Sequence, residues 1–321
     1  MNKASKIEPT VAIIVPTCTI QGYNKLHKTI ESLLQQSRKA NEIIVVANGN
    51  RELGNKLKID YRHHDNIRIM IITEFLGAGG ARNKGIKASN ADIIAFTDDD
   101  CTPDSKWIEK LVEIYRTRDA IAAGGKVLPV WLANKPSFLP EELYWLVGVT
   151  HEKIFADAVI EVRNTFGSNM SFKKDILQSV GYFSERLGFK GAGNFMYPIG
   201  GEEQDIGLRI IHKYGKGIIY NPEAIVYHDV PAPKAKVVPL IKRAFYFGVA
   251  KTLILRMDPF KNNMDTEKSY LVRILTDFIP GHIGDIFRGP AHFAAVKKLA
   301  FLLMVVMVIG LGFIYGYAIA K

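Results

Sequence analysis

Asp98, Asp99 and Asp100 stand in a row behind the apolar run DIIAFT, residues 92–97. Three adjacent carboxylates repel one another unless a cation sits among them. Hard oxygen donors of this kind suit Mg2+ or Mn2+, with phosphate oxygens completing the shell. The same residues also read as an acidic turn capping the helix that follows Pro103. A second acidic group, Glu202, Glu203 and Asp205, follows Gly200 and Gly201 at the start of a helical pattern. Acids are common at helix starts because they complement the dipole. A transferase that activates an acceptor hydroxyl nevertheless needs a carboxylate base, and this group is the candidate. His228 follows the short apolar run 225–227 and is a candidate metal ligand, with an ordinary core or surface position as the alternative.

Residues 77–82 (GAGGAR) open like a dinucleotide fingerprint but carry Arg82 where the last glycine belongs, which disfavours a dehydrogenase. Arg82 among small residues suits a clamp for phosphate or sugar, since a planar guanidinium binds bidentately. The phosphate-loop pattern is absent as well.

The elements that must position these groups begin with a buried run at 11–15, stopped by Pro16. Helical spacing follows through Leu26, Ile30, Leu33 and Leu34. Further strands are predicted at 42–47, closed by Asn48, Gly49 and Asn50, and at 67–72, with a helix through Ala88 and a fourth strand at 92–97. Near-continuous apolar strands alternating with helices argue for a mostly parallel α/β sheet, and ligands bind such sheets at the carboxyl ends of the strands. Later the pattern predicts a strand at 124–129, a strand and turn over 165–172, and helices at 174–180 and 202–213. Asn221 and Pro222 are predicted to make a turn between two short strands.

The ordered set VAIIVPT, EIIVVANGN, GAGGARNKGI, DIIAFTDDDC, GSNMSFKKDILQSVGYFSERLG, GGEEQDIGLRI and NPEAIVYHDV resembles the family 2 glycosyltransferases over residues 8–230. The resemblance implies the GT-A fold and inverting transfer of a sugar from a nucleotide-diphosphate sugar. Pro16 and Thr17 would line the nucleotide pocket, and Asp98 and Asp100 would form the metal-holding pair, with Asp99 between them on the donor side. Arg82 and Asn83 fall in the donor-binding segment, and Asn169 would sit near the transferred sugar or acceptor. Glu203 falls where the family has its general base, with Glu202 assisting and Asp205 an alternative holder of that role. His228 matches a histidine often seen after the last strand, which favours a metal role. Where the family often has paired aspartates after the second strand, this chain has Ala47 and Asn48. An amide can still hydrogen-bond uracil; the resemblance favours a UDP-sugar, with the base left less specified by this departure.

The chain has 321 residues, 48% hydrophobic and 23% charged, with a formal charge of +10. Residues 299–320 carry no charge, behind Lys297 and Lys298, and match one pass through a bilayer; a buried core helix is the other reading of that length. The first ten residues are polar and lack the apolar stretch of a signal peptide. Cys18 and Cys101 show no metal spacing. From 231 to 298, twelve Lys/Arg face five Asp/Glu, which places the bulk of the protein on the cytoplasmic side and suits a phosphate-bearing lipid. No nucleic-acid motif accompanies the charge.

The expected layout is a GT-A domain at 1–230, basic amphipathic membrane-proximal helices at 231–296 behind a proline hinge, with ordinary helices packed on the catalytic domain as the equal alternative for that stretch, and a transmembrane helix at 297–321. Gly312 and Gly316 form a GxxxG pair, a spacing that permits a homodimer. The expected partners are therefore a nucleotide sugar, a lipid-linked acceptor and the membrane, as in glycan assembly on the cytosolic leaflet. The alternatives are a polyprenyl-phosphate glycosyl synthase, a tethered inactive binding protein and a nucleotidyltransferase.

Overall fold

In the computed structural model, which describes residues 8–151, 157–190, 197–257, 265–288 and 292–319, the first apolar run becomes β1 (Val11–Thr17). Helix α1 (Tyr23–Leu34) packs Leu26, Ile30 and Leu33 into the core. Strand β2 (Glu42–Asn48) pairs in parallel with β1. Between β2 and the next strand lies α2 (Arg51–Asp60), which the sequence pattern did not predict. Asn50, predicted as part of a turn, is its N-cap: Leu53 N–H donates to its Oδ1 at 2.9 Å. A helix is required at this point, because two parallel neighbours need a crossover connection.

Strand β3 (Ile67–Ile72), helix α3 (Gly77–Ala88) and strand β4 (Ile93–Phe96) complete the parallel half. β5 (Cys101–Pro103) and α4 (Trp107–Thr117) follow. The later strands are β6 (Ala122–Trp131), β7 (Ile160–Val162) and β8 (Met170–Lys173). β8 leads directly into α5 (Lys174–Val180). Two short strands, β9 (Phe189–Lys190) and β10 (Tyr197–Pro198), form a separate antiparallel pair. Helix α6 (Glu202–Tyr214) and strand β11 (Ile218–Val230) come next.

The sheet order is β3-β2-β1-β4-β8-β6-β11-β5, with β7 on β11. The four strands from β3 to β4 are parallel, whereas β8 runs antiparallel to β4 and to β6. The turn predicted at Asn221 and Pro222 is instead inside β11. Asn221 satisfies its side chain locally, accepting from Glu223 N–H at 3.1 Å and donating to Lys110 O at 3.0 Å, so the strand continues past the proline.

The chain divides into two compact units. Unit 1 holds Met1–Val127, Ala158–Glu185 and Arg209–Tyr227; unit 2 holds Leu128–Asp157, Arg186–Leu208 and His228–Lys321. The core of unit 1 is the β1–β4 strands with Leu26, Ile30, Trp107, Ile108 and Leu111 packed against them.

Unit 2 is mainly helical. A short helical turn, Glu141–Val147, precedes α7 (Val237–Met257), α8 (Asp265–Arg273), α9 (Ile279–Arg288) and α10 (His292–Ile319). Its core joins Leu143, Val147, Leu240, Ala244, Phe278, Phe301, Leu302 and Val305. The predicted proline hinge is a packed helical turn, Ala232–Ala235, with Ala235 buried, and Pro239 sits in the first turn of α7, where its missing N–H costs nothing. α7, expected either as an amphipathic surface helix or as an ordinary packed one, buries Leu240, Ala244, Gly248, Val249, Ala250, Lys251, Thr252 and Ile254. α10 is long and apolar enough to cross a membrane. Lys321 and the last apolar position, Ala320, lie outside the described residues.

Candidate active site

In unit 1 the carboxyl ends of β1 and β4 lie side by side, since these strands are parallel neighbours. Asp98, Asp99 and Asp100 follow β4 directly and form a tight turn, with Cys101 N–H donating to Asp98 O at 3.2 Å. All three side chains are half-buried. Thr17, the last residue of β1, donates its hydroxyl to Asp99 Oδ2 at 2.6 Å. Arg82, 3% exposed on α3, donates to Asp98 Oδ1 at 2.9 Å and lies over the Phe183 ring. Pro16 precedes Thr17 in β1 and is half-buried. The acidic turn is thus braced on two sides, by a buried guanidinium and by a hydroxyl, which holds adjacent carboxylates in one place.

The same acids act on Cys101. Burial, reinforced by the Asp98 and Asp100 charges, pushes its thiol well above the usual cysteine range.

The three asparagines of the predicted site point elsewhere. Asn48 accepts from Leu76 N–H and donates to Gly77 O, at 2.9 and 3.0 Å, and thereby shapes the entry to α3. Asn83 makes a reciprocal pair with the backbone of Phe183, both bonds at 2.9 Å. Asn169 is fully buried: Trp107 Nε1 donates to it at 2.8 Å, and its amide donates to Lys126 O and Ala224 O at 2.9 and 2.7 Å. These amides brace the backbone. The reading of Asn48 at the base, Asn83 at the donor and Asn169 near the sugar or acceptor stands beside this bracing: both ends of each amide are engaged with protein groups here.

In unit 2, α6 opens with the second acidic group. Glu202 and Asp205 are buried, at 4% and 5% exposed, while Glu203 is half-buried. The Glu202 carboxylate packs over Gly188, where a Cβ would sit 2.4 Å from Oε1. Lys251, which the sequence reading counted only as part of a basic stretch, donates to Gln204 Oε1 at 2.5 Å. Its setting in GVAKTLIL, a lone cation between apolar residues, was the available signal. His228 lies in β11, half-buried, with its ring against Gly148.

The pattern of glycosyl transferase family 2 matches residues 12–181. The chain belongs to that family. It is 32% identical, over 95% of its own length and 96% of the relative's, to the glucosyl-dolichyl phosphate glucuronosyltransferase of Haloferax volcanii. It is 30% identical to the succinoglycan biosynthesis protein ExoM of Rhizobium meliloti over 52% of the chain and 50% of that protein. A solved structure, the mannosyltransferase PcManGT of Pyrobaculum calidifontis in complex with GDP-Man and Mn2+, superposes with a TM-score of 0.61 at 16% identity, covering 94% of this chain and 87% of the other. The protein is therefore a glycosyltransferase with a GT-A-like fold. In this family 2 chain the carboxylate donors of the β4–β5 turn fit a hard divalent cation by their chemistry.

Proposed function

We propose that this enzyme transfers a sugar, with inversion, from a nucleotide-diphosphate sugar to a lipid-linked saccharide at the cytoplasmic face of a membrane. The observation that carries the reading is the braced acidic turn, with Arg82 on Asp98 and Thr17 on Asp99, at the carboxyl end of β4. The name of the Haloferax relative, a transferase acting on glucosyl-dolichyl phosphate, supports the acceptor class. The apolar α10 behind a basic stretch supports the membrane setting. A UDP-sugar remains the favoured donor, although the Pyrobaculum neighbour holds GDP-Man.

Asp98 and Asp100, with His228 as a third ligand, would hold Mn2+ or Mg2+. Bound there, the ion would offset the charge that develops on the departing nucleoside diphosphate. Arg82 would fix Asp98 and so the orientation of the diphosphate, while Pro16 and Thr17 border the nucleotide. Glu203, the most open of the α6 acids, would take the proton from the acceptor hydroxyl as its oxygen bonds to the anomeric carbon and the diphosphate oxygen leaves. Glu202, packed on Gly188, would shape the acceptor side, and Asp205 would support the helix start.

The test is turnover of UDP- and GDP-sugars by membranes carrying the protein, with Mn2+ or with EDTA, and with lipid products separated by mass. Wild type should yield a metal-dependent, lipid-linked sugar, and Asp100→Ala should lower the rate about a hundredfold or more. Full activity of Asp100→Ala in EDTA would sink the metal-site reading. A product extended on bare polyprenyl phosphate would replace the saccharide acceptor with the phosphate itself.

A further inference from the structure

α7 presents two faces within unit 2. One lies against α10 with almost no side chain between the backbones. A Cβ at Gly248 would meet Ile309 O at 2.1 Å, and one at Gly312 would meet Phe245 O at 2.0 Å. Thr252 Oγ1 donates to Phe313 O at 2.8 Å, and Arg256 donates to Tyr317 O at 2.9 Å. The other face meets the start of α6. Gly201 packs on Ile254 and Ala250, and Lys251 reaches Gln204.

Lys251 is 5% exposed. Its ammonium pairs with Glu267 on α8 and lies 4.7 Å from the centre of the Phe247 ring. A buried cation requires an anion and further acceptors. Glu267 supplies the charge, so the bond to Gln204 is not needed for neutrality and has another consequence. Gln204 stands between Glu203 and Asp205. The chain enters this turn through Gly200 and Gly201, both at positive φ (68° and 92°), the least restrained type of backbone. The first N–H groups of a helix also lack partners within it. A charge-assisted bond to the side chain next to Glu203 therefore restrains a turn that the two glycines leave loosely specified.

We propose that Lys251 is a positioning residue for the acidic turn of α6. It fixes Gln204 and thereby the direction of Glu203, and α7 ties that turn to the seat of the apolar helix α10. The proposal rests on the reading of this turn as the bearer of the general base.

The test uses the full-length protein in membranes and follows kcat and the donor KM separately. Lys251→Met and Gln204→Ala should each lower kcat about tenfold to a hundredfold, as expected of a misplaced catalytic group, with donor KM changed less than about twofold. The double variant should be no worse than the poorer single one, because both remove the same bond. Lys251→Arg should recover part of the rate. Since Lys251→Met strands the Glu267 charge, Glu267→Gln and the pair Lys251→Met/Glu267→Gln separate folding from positioning. Glu267→Gln alone should lower the melting temperature and keep kcat, while the pair should fold and remain slow. A folded pair with wild-type kcat, or additive losses at Lys251 and Gln204, would overturn the proposal. Glu203→Gln is measured alongside. If it loses activity while Lys251→Met keeps it, only the positioning role fails; if it keeps full activity, the base assignment fails and the positioning role with it.

Discussion

The acidic turn of unit 1 and the α7–α10 pair of unit 2 both hold functional groups in place, but with opposite materials. Around the β4 end, rigidity comes from side chains bonded to backbone. Asn48 holds the entry to α3, Asn83 holds Phe183, and Asn169 joins α4, β6 and β11. Along α7 and α10, rigidity comes from the removal of side chains, with Gly248 against Ile309 and Gly312 against Phe245. Where water is near, a hydrogen bond is selective because a wrong partner leaves a buried group unsatisfied. Between apolar helices such bonds are scarce, and close approach of backbones takes over. The comparison teaches that polar residues in a catalytic sequence motif can be its mortar, while glycines in a membrane-like helix can be its keystones.

The difference is broken most severely at Asn169. Asn169→Leu keeps the branched outline but puts methyl groups where bonds of 2.7–2.9 Å stood and abandons Trp107 Nε1 and two carbonyls in a core position, so a loss of about 3–5 kcal/mol is expected. Urea unfolding of the protein in detergent measures it. A loss under about 1 kcal/mol would show that the amide is dispensable as a brace and leave the ligand role as its main use.

The next effect concerns Gly312. The GxxxG pair suggested a homodimer, but Gly312 and Gly316 lie against Phe245, Val249 and Thr252 of the same chain. Gly312→Val must push α10 off α7, and overpacking of this kind costs about 1–3 kcal/mol. The expected result is a lower melting temperature with no change in mass by light scattering. A fall in mass from dimer to monomer, with the melting temperature kept, would return the glycines to an intermolecular role.

Legibility in the sequence follows from what each residue type can do. The acidic turn is readable because three carboxylates behind the apolar run DIIAFT have few other uses, and its position at a strand end follows from the parallel pattern. The bracing by asparagines is not: an amide reads the same whether it faces a ligand or two carbonyls, and the burial of Asn169 and its three partners shows only in the fold. α2 escaped because just Leu53 and Leu57 mark its buried face, with Lys56 and Lys58 diluting the stripe. The strand through Asn221 escaped because Asn-Pro signals a turn, whereas Lys110 O, far away in sequence, keeps the strand going. α7 seemed mixed in character because its buried positions set the small residues Ala244, Gly248, Ala250 and Thr252, and the cation Lys251, among Leu240, Val249 and Ile254.

The smallest expected effect lies in a buried pair of unit 2 that uses neither glycine packing nor the acidic turn of α6. Glu142, in the helical turn 141–147, is bonded to His282 of α9, both nearly buried, while the Glu142 carbonyl accepts from Tyr270 Oη at 2.6 Å. Burial alone would raise the Glu142 carboxyl, but the bond from His282 and the nearby charges hold it below the usual carboxylate range. A carboxyl lowered in the folded state is deprotonated there while the unfolded chain already binds a proton. Its contribution is therefore full above the unfolded value and is lost as pH falls through the folded one. Glu142→Gln keeps the size and the Tyr270 bond and removes only the charge. The variant should be about 1 kcal/mol less stable than wild type at neutral pH, with the gap starting to close below about pH 4, near the unfolded value, and gone only once the pH has fallen through the lower folded value. Denaturant unfolding of both proteins across pH 3–7 reads this difference directly. A gap that stays constant to the acid end would mean that shape, not charge, holds α9 to the turn, and unit 2 would then be packed throughout by the same means as α7 and α10.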